Sequence, residues 1–176
     1  MPWASILHNR NNEPEAAVSW LVYWYRNFLN EGRGTLHNAA FGGISNISSP
    51  GWFNIQEIQK NREKMQLDAG FGALSAVLDL LVYQKHGTVY VLPKIHRDWY
   101  VFDFDGIVVE GGFVIGAKVQ ESKTQVVSIK SKFGGNLRIA HGLGERFMLN
   151  ETEMSGAVLE REFSVGEEIQ LTRAIN

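Results

Sequence analysis

The chain has 176 residues, with 17 Lys and Arg against 19 Asp and Glu, five His and no Cys. A hydrophobic fraction of 44% excludes an intrinsically disordered chain, and a net charge of −2 is unlike a nucleic-acid-binding protein, which carries a basic face. The lack of cysteine excludes disulfides and thiolate metal sites. No apolar run approaches the roughly 20 residues of a membrane span, and the N-terminus lacks a signal-peptide pattern. These features do not determine the cellular compartment of the protein.

The first half of the chain has helical periodicity. A helix is predicted over residues 12–31, with Asn12 as its N-cap and Gly32 as its stop. This segment is apolar nearly all round, which predicts burial on several sides. A second helix is predicted over residues 69–84, and residues 3–7 resemble the end of another helix.

From Thr88 onward the pattern changes to the two-residue alternation of β-strands. Seven short strands, separated in part by glycine-containing turns, predict an antiparallel β-sandwich. The fold class is therefore α+β, with residues 1–86 helical and residues 87–176 forming the sandwich. The predicted strands are Thr88–Leu92, Gly106–Glu110, Phe113–Val119, Gln125–Lys132, Asn136–Ala140, Val158–Phe163 and Glu168–Thr172.

Signatures of the common cofactor and metal sites are missing. The sequence contains no Gly-x-Gly-x-x-Gly, phosphate loop, His-Glu-x-x-His or Gly-x-Ser-x-Gly motif. Asp103 and Asp105 could bind a cation, but no further ligands follow at the spacing of a calcium loop. An aspartate pair that brackets a turn is the favoured interpretation, and the sequence predicts neither a cofactor nor a metal.

The most specific cluster of candidate residues runs from Gln66 to Ala73. It places Asp68 at the N-terminal end of a predicted helix, next to small residues. The structural interpretation is that Asp68 caps the helix while the glycines permit close packing. The functional interpretation is a carboxylate in a cleft, where it acts as general base on water. The spacing alone leaves both open.

A long link rich in Gly, Asn and Ser precedes this cluster and holds further candidates. Arg33 and His37 either contact a substrate or take part in loop hydrogen bonds. Trp52 either stacks on a sugar ring or is buried beneath the loop.

One known family resembles this pattern. Gln66-Leu67-Asp68-Ala69-Gly70-Phe71-Gly72-Ala73 resembles the Gln-x-Asp-Gly-Asn-Phe-Gly motif of family 95 glycoside hydrolases, the inverting α-L-fucosidase type. Later segments keep the order of that family, and the similarity covers about residues 60–172. These segments are Val89-Tyr90-Val91-Leu92-Pro93, Gly106-Ile107-Val108-Val109-Glu110-Gly111-Gly112-Phe113 and Gly134-Gly135.

The resemblance implies the last helices of an (α/α)6 barrel followed by a C-terminal β-sandwich. It also implies that Asp68 activates the attacking water and that Gln66 lies at the substrate. The general acid of the family is a Glu in an earlier helix, outside the matched region, and Ala69-Gly70 replaces Gly-Asn within the motif. The chain is therefore expected to be the C-terminal portion of a carbohydrate-cleaving enzyme, inactive when isolated.

Two hypotheses of other classes remain. One is a carbohydrate-binding or purely structural β-sandwich module without catalysis. The other is an interaction module that forms a homo-oligomer through its apolar helices. Which sugar is the substrate, and whether the chain is a fragment or a degenerate stand-alone protein, cannot be read from these residues.

Overall fold

The computed structural model of the chain describes residues 2–29 and 67–174. Contacts divide the chain into two compact units, residues 1–77 and 78–176. Helices precede two sheets, as the α+β prediction requires. Among the described residues, no helix is long and apolar enough to cross a membrane.

The described residues of the first unit are largely helical. Helix α1 spans Pro2–Arg10 and helix α2 spans Pro14–Phe28. The His8 ring stacks on Trp20 at a centroid distance of 6.4 Å, and His8 Nδ1 lies 2.6 Å from Glu13 Oε2. These contacts join the two helices across the short link between them.

The ends and the burial of α2 differ from the prediction. Asn12 is not its N-cap, because its backbone is left-handed, with φ of 62°, and Glu13 takes the cap position without a side-chain hydrogen bond. The prediction of burial on several sides is wrong as well, because only Pro14 and Ala17 are buried in α2. The apolar pattern of a helix indicates which side chains favour burial, but it does not show which other element would cover them.

Helix α3 spans Leu67–Leu81, so it ends three residues before the predicted terminus, and strand β1 follows at once. Several large apolar side chains of this helix are exposed, with Phe71 at 65%, although Leu80 is buried. In helix α1 the polar side chains of Ser5 and Asn9 are buried, whereas the apolar side chain of Trp3 is 70% exposed. Both helices therefore carry an apolar face that the described residues leave uncovered.

The second unit contains two sheets. The first has the strand order β1-β2-β6-β9 and the second the order β3-β4-β5-β10-β7-β8. All described pairs of neighbouring strands are antiparallel except β2 with β6. The strands are β1 Val82–Lys85, β2 Thr88–Val91, β3 Val101–Val109, β4 Phe113–Gln120, β5 Lys123–Ser131, β6 Gly135–Ala140, β7 Arg146–Leu149, β8 Thr152–Ser155, β9 Val158–Phe163 and β10 Glu168–Arg173. Strands β1, β7 and β8 were not among the predicted ones.

One apolar core lies between the two sheets, as in a β-sandwich. Ile139 of the four-stranded sheet and Ile115, Ile129 and Leu171 of the six-stranded sheet belong to the same buried cluster. Burial alternates along the strands, so the intervening side chains of the six-stranded sheet form its outer face.

A buried histidine lies at one end of this core. His141 is fully buried, with its ring centroid 4.3 Å from that of Phe147. Its Nδ1 accepts a hydrogen bond from the backbone N–H of Leu143, so its Nε2 carries the proton and donates to the Gly156 carbonyl oxygen. Burial lowers the pKa of His141 below its ordinary value near 6.5, against smaller opposing effects of the Gly156 hydrogen bond and the charge of Glu145.

The lowered pKa of His141 predicts that the free energy of unfolding decreases as the pH is lowered. Above the unfolded-state pKa the imidazole is neutral in both states; below it, the unfolded chain binds a proton that folded His141 resists, so the free energy of unfolding decreases. We expect His141→Gln to cost about 1–3 kcal/mol near neutral pH, through lost hydrogen bonds. This cost should shrink between about pH 7.5 and about pH 5. Urea unfolding of both proteins at each pH measures it, and a cost independent of pH contradicts the assignment.

Candidate functional site

Asp68, the predicted base, lies in the first turn of helix α3 as the structure describes it. Its side chain is exposed, and it makes no hydrogen bond or ion pair with another described residue. The capping interpretation therefore has no hydrogen bond among these residues to support it. An exposed carboxylate without an ion pair among the described residues is chemically suited to accept a proton from water.

Small residues on one side of α3 are close to other parts of the chain. Ala73 and Ala76 are buried, whereas a Cβ atom on Gly72 would lie 3.5 Å from Pro2 Cβ, an ordinary contact distance. Small side chains at these positions let another element approach the helix closely.

The other predicted contact residues cannot be placed beside Asp68. Arg33, His37, Trp52 and Gln66 lie outside the described residues. Their roles as substrate contacts stay predictions.

The aspartate pair lies elsewhere than predicted. Asp103 and Asp105 do not bracket a turn but lie on β3, with both side chains exposed. Within residues 2–29 and 67–174 no group of three His, Asp or Glu side chains could hold a metal ion. Asp105 belongs to an irregular part of β3, because the register between Phe104 and Ile107 slips and leaves two residues opposite Gly116. Such a bulge redirects a side chain.

Asp105 contributes to a groove of about 550 Å³ on the outer face of the six-stranded sheet. We name it the polar groove and define it by the polar side chains of Asp105, Ser128, Lys130, Asn150, Glu168 and Gln170. Small-molecule sites commonly have volumes of roughly 300–1,000 Å³, so the polar groove is large enough for a ligand of that class.

Two rows of directly opposed residues position these side chains. Gly116 pairs with Ser128, which pairs with Gln170. Two residues along the strands, Lys130 pairs with Glu168. Because alternate residues share a face, both rows point outward together. The alternation of β5 in the sequence placed Ser128 and Lys130 on one face, but it could not reveal which strand supplied their neighbours.

Two of the three charged side chains in the polar groove compensate each other. Lys130 Nζ forms an ion pair and hydrogen bond with Glu168 Oε1. This hydrogen bond raises the pKa of Lys130 above its ordinary value. Asp105, by contrast, makes no ion pair or hydrogen bond with another described residue.

Comparison with known proteins leaves the family open. No protein-family model matches this sequence, and no curated protein matches it. One similar solved structure is the crystal structure of a GH127 β-L-arabinofuranosidase from Geobacillus stearothermophilus T6, with 14% identity and a TM-score of 0.35. The match covers 58% of this chain and 18% of that chain, so this chain aligns with less than a fifth of it. That protein is a glycoside hydrolase; the resemblance to family 95 stays a prediction.

Proposed function

We propose that this chain is the C-terminal portion of a glycoside hydrolase of the inverting α-L-fucosidase type. In this proposal Asp68 is the general base that activates the water attacking the glycosidic bond. The observation that carries the proposal is the placement of Asp68 at the start of α3, exposed and unneutralised among the described residues. The helix that carries it continues into β1 without a linker, in the order that the resemblance implies.

In an inverting reaction, one carboxylate takes a proton from water as the water attacks the anomeric carbon. A carboxylic acid on the opposite side donates a proton to the leaving oxygen. Asp68 has the accessibility that the first role requires. The acid is expected from an additional helical region, so the chain alone lacks half of the proton transfer.

The exposed apolar faces of α1 and α3 support a larger helical body. Leu7, Phe71 and Leu74 are exposed, and large apolar side chains at helical spacing normally pack against other elements. Additional barrel helices would cover them, and they would bring the acid toward Asp68.

The test is hydrolysis of an aryl α-L-fucoside and an aryl α-D-galactoside. We expect only background turnover from the purified chain, and turnover of the fucoside when the chain is expressed with the polypeptide encoded directly upstream. Asp68→Asn should return that activity to background, because an amide cannot accept the proton of water.

The matched control is Asp98→Asn, the same change at another exposed carboxylate, which should leave turnover unchanged. Activity that survives Asp68→Asn would contradict the role of Asp68. Failure of the upstream pairing to produce turnover would contradict the proposed enzyme.

A non-catalytic carbohydrate-binding module is the second candidate. The observation in its favour is that the sandwich has a complete core of its own, built from residues of β1 to β10 and the loops between them. Glycan binding by the chain that persists in Asp68→Ala, without turnover in any pairing, would favour this candidate.

A further inference from the structure

The polar groove is a feature of the sandwich that catalysis by Asp68 does not use. The three residues of one row, Gly116, Ser128 and Gln170, come from the neighbouring strands β4, β5 and β10. Asp105 joins them from β3 through the bulge opposite Gly116. Four consecutive strands of one sheet thus build the groove, which gives it a rigid floor.

The missing side chain of Gly116 is what lets these groups converge. A Cβ atom at this position would lie 2.5 Å from Ser128 Oγ and 2.6 Å from Asp105 Oδ1. The two oxygen atoms are therefore no further apart than the sum of these distances. Neither side chain makes a hydrogen bond with another described residue, so a single incoming hydroxyl could donate to Asp105 and accept from Ser128.

The groups in the polar groove match hydroxyls better than they match an anion. Asp105 accepts hydrogen bonds, whereas Ser128, Asn150 and Gln170 both donate and accept them. An anion would be repelled by Asp105, which has no ion pair among the described residues, while the charge of Lys130 is already compensated by Glu168. A ligand with many hydroxyls can satisfy donors and acceptors together.

A peptide strand fits the polar groove poorly. The groove lies on the face of the sheet, where the backbone groups of β4 and β5 are already used in the ladder. Extended peptides are usually bound by adding a strand to an exposed edge. Recognition in the groove therefore depends on side chains, and Val114 beside Gly116 offers a small apolar contact for the carbon face of a sugar ring.

We infer that the polar groove is a non-catalytic binding site for a neutral carbohydrate, with Asp105 and Ser128 holding one hydroxyl above Gly116. Gln170 and Asn150 contact neighbouring hydroxyls along the groove. The site is independent of the proposed function, because it does not involve Asp68.

Amide chemical shifts of the isotope-labelled chain test this inference, with L-fucose, L-arabinose, D-galactose and D-glucose as separate probes. We expect saturable shifts, with at least one sugar, that cluster at the amides of Gly116, Ser128 and Gln170. Ser128→Ala and Asp105→Asn should each raise the dissociation constant about tenfold, since the first removes a hydrogen bond to the sugar and the second replaces a charged acceptor by a weaker neutral one. Gly116→Ala should abolish the shifts, because its Cβ displaces both oxygens.

Glu162→Gln is the matched control, since it removes an exposed carboxylate from β9, in the other sheet. It should bind like the wild type, and the amide spectra should show that all variants are folded. Because Gly116→Ala could disturb the sheet, the effect of Ser128→Ala on the dissociation constant is the decisive measurement. Saturable binding of inorganic phosphate or a glycine–serine peptide instead of sugar, shifts that ignore Ser128→Ala, or no saturable shift with any sugar would overturn the inference. Asp68→Asn should leave the shifts intact, which separates this outcome from that of the proposed enzyme.

Discussion

Replacing Phe147 with alanine is expected to lower the free energy of unfolding by about 3–5 kcal/mol. The ring is 1% exposed, and it lies in the core that the two sheets share. Truncation removes its apolar area and leaves a cavity that β7 cannot close, because β7 is held by β10 on one side and β8 on the other. A typical domain has only about 5–15 kcal/mol of stability, so this variant loses a large part of it.

Urea unfolding followed by tryptophan fluorescence measures the loss. Phe133→Ala is the matched control, because Phe133 is 74% exposed and its removal leaves the core intact. The control should change stability by less than about 0.5 kcal/mol. Similar losses in both variants would contradict the placement of Phe147 in the core.

The sequence was informative about the long, regular strands. Val127 and Ile129 alternate with Ser128 and Lys130, and the structure buries the first pair and turns the second outward. That alternation follows from the backbone geometry of a strand, so it can be read without knowing the neighbours.

The missed strands are those in which local pattern is weak. Strands β7 and β8 have four residues each; β7 begins with Arg146, and Met154 is the single apolar residue of β8. Strand β1 follows α3 directly, and Val82 continues the helical run of apolar residues. Pairing with β2 decides the conformation of residues 82–85, and pairing is a tertiary effect that local periodicity does not contain.

The same limit applies to the candidate sites. The sequence placed Asp68 just before a helix, as its cap, whereas the structure has it within the first turn of α3. The polar groove depends on Asp105 being redirected over Gly116 by a bulge. In the sequence this bulge appears only as an aspartate followed by a glycine, a pattern that also fits a turn. Contacts across strands distant in sequence therefore had to come from the structure.

Replacing Gly142 with alanine is expected to cost about 2–5 kcal/mol, for two separable reasons. Its φ of +70° lies in the left-handed region that favours glycine. In addition, the new Cβ would lie 2.7 Å from the Val91 carbonyl oxygen and 3.2 Å from that of Leu92. Backbone oxygens cannot rotate away as a side chain can, so the segment that follows His141 would have to move.

Gly87→Ala separates the two reasons, because Gly87 has a similar φ of +74° and no atom within 4 Å of its added Cβ. This control should lose only the backbone cost of about 1–2 kcal/mol. The difference between the variants is then the cost of the collision, and it should shift the thermal midpoint of Gly142→Ala well below that of Gly87→Ala. Because Gly142 lies between His141 and Leu143, the displaced backbone should also weaken the hydrogen bond from Leu143 N–H to His141 Nδ1. Amide hydrogen exchange at Leu143 should therefore be faster in Gly142→Ala than in Gly87→Ala, and equal exchange rates and midpoints would contradict the collision.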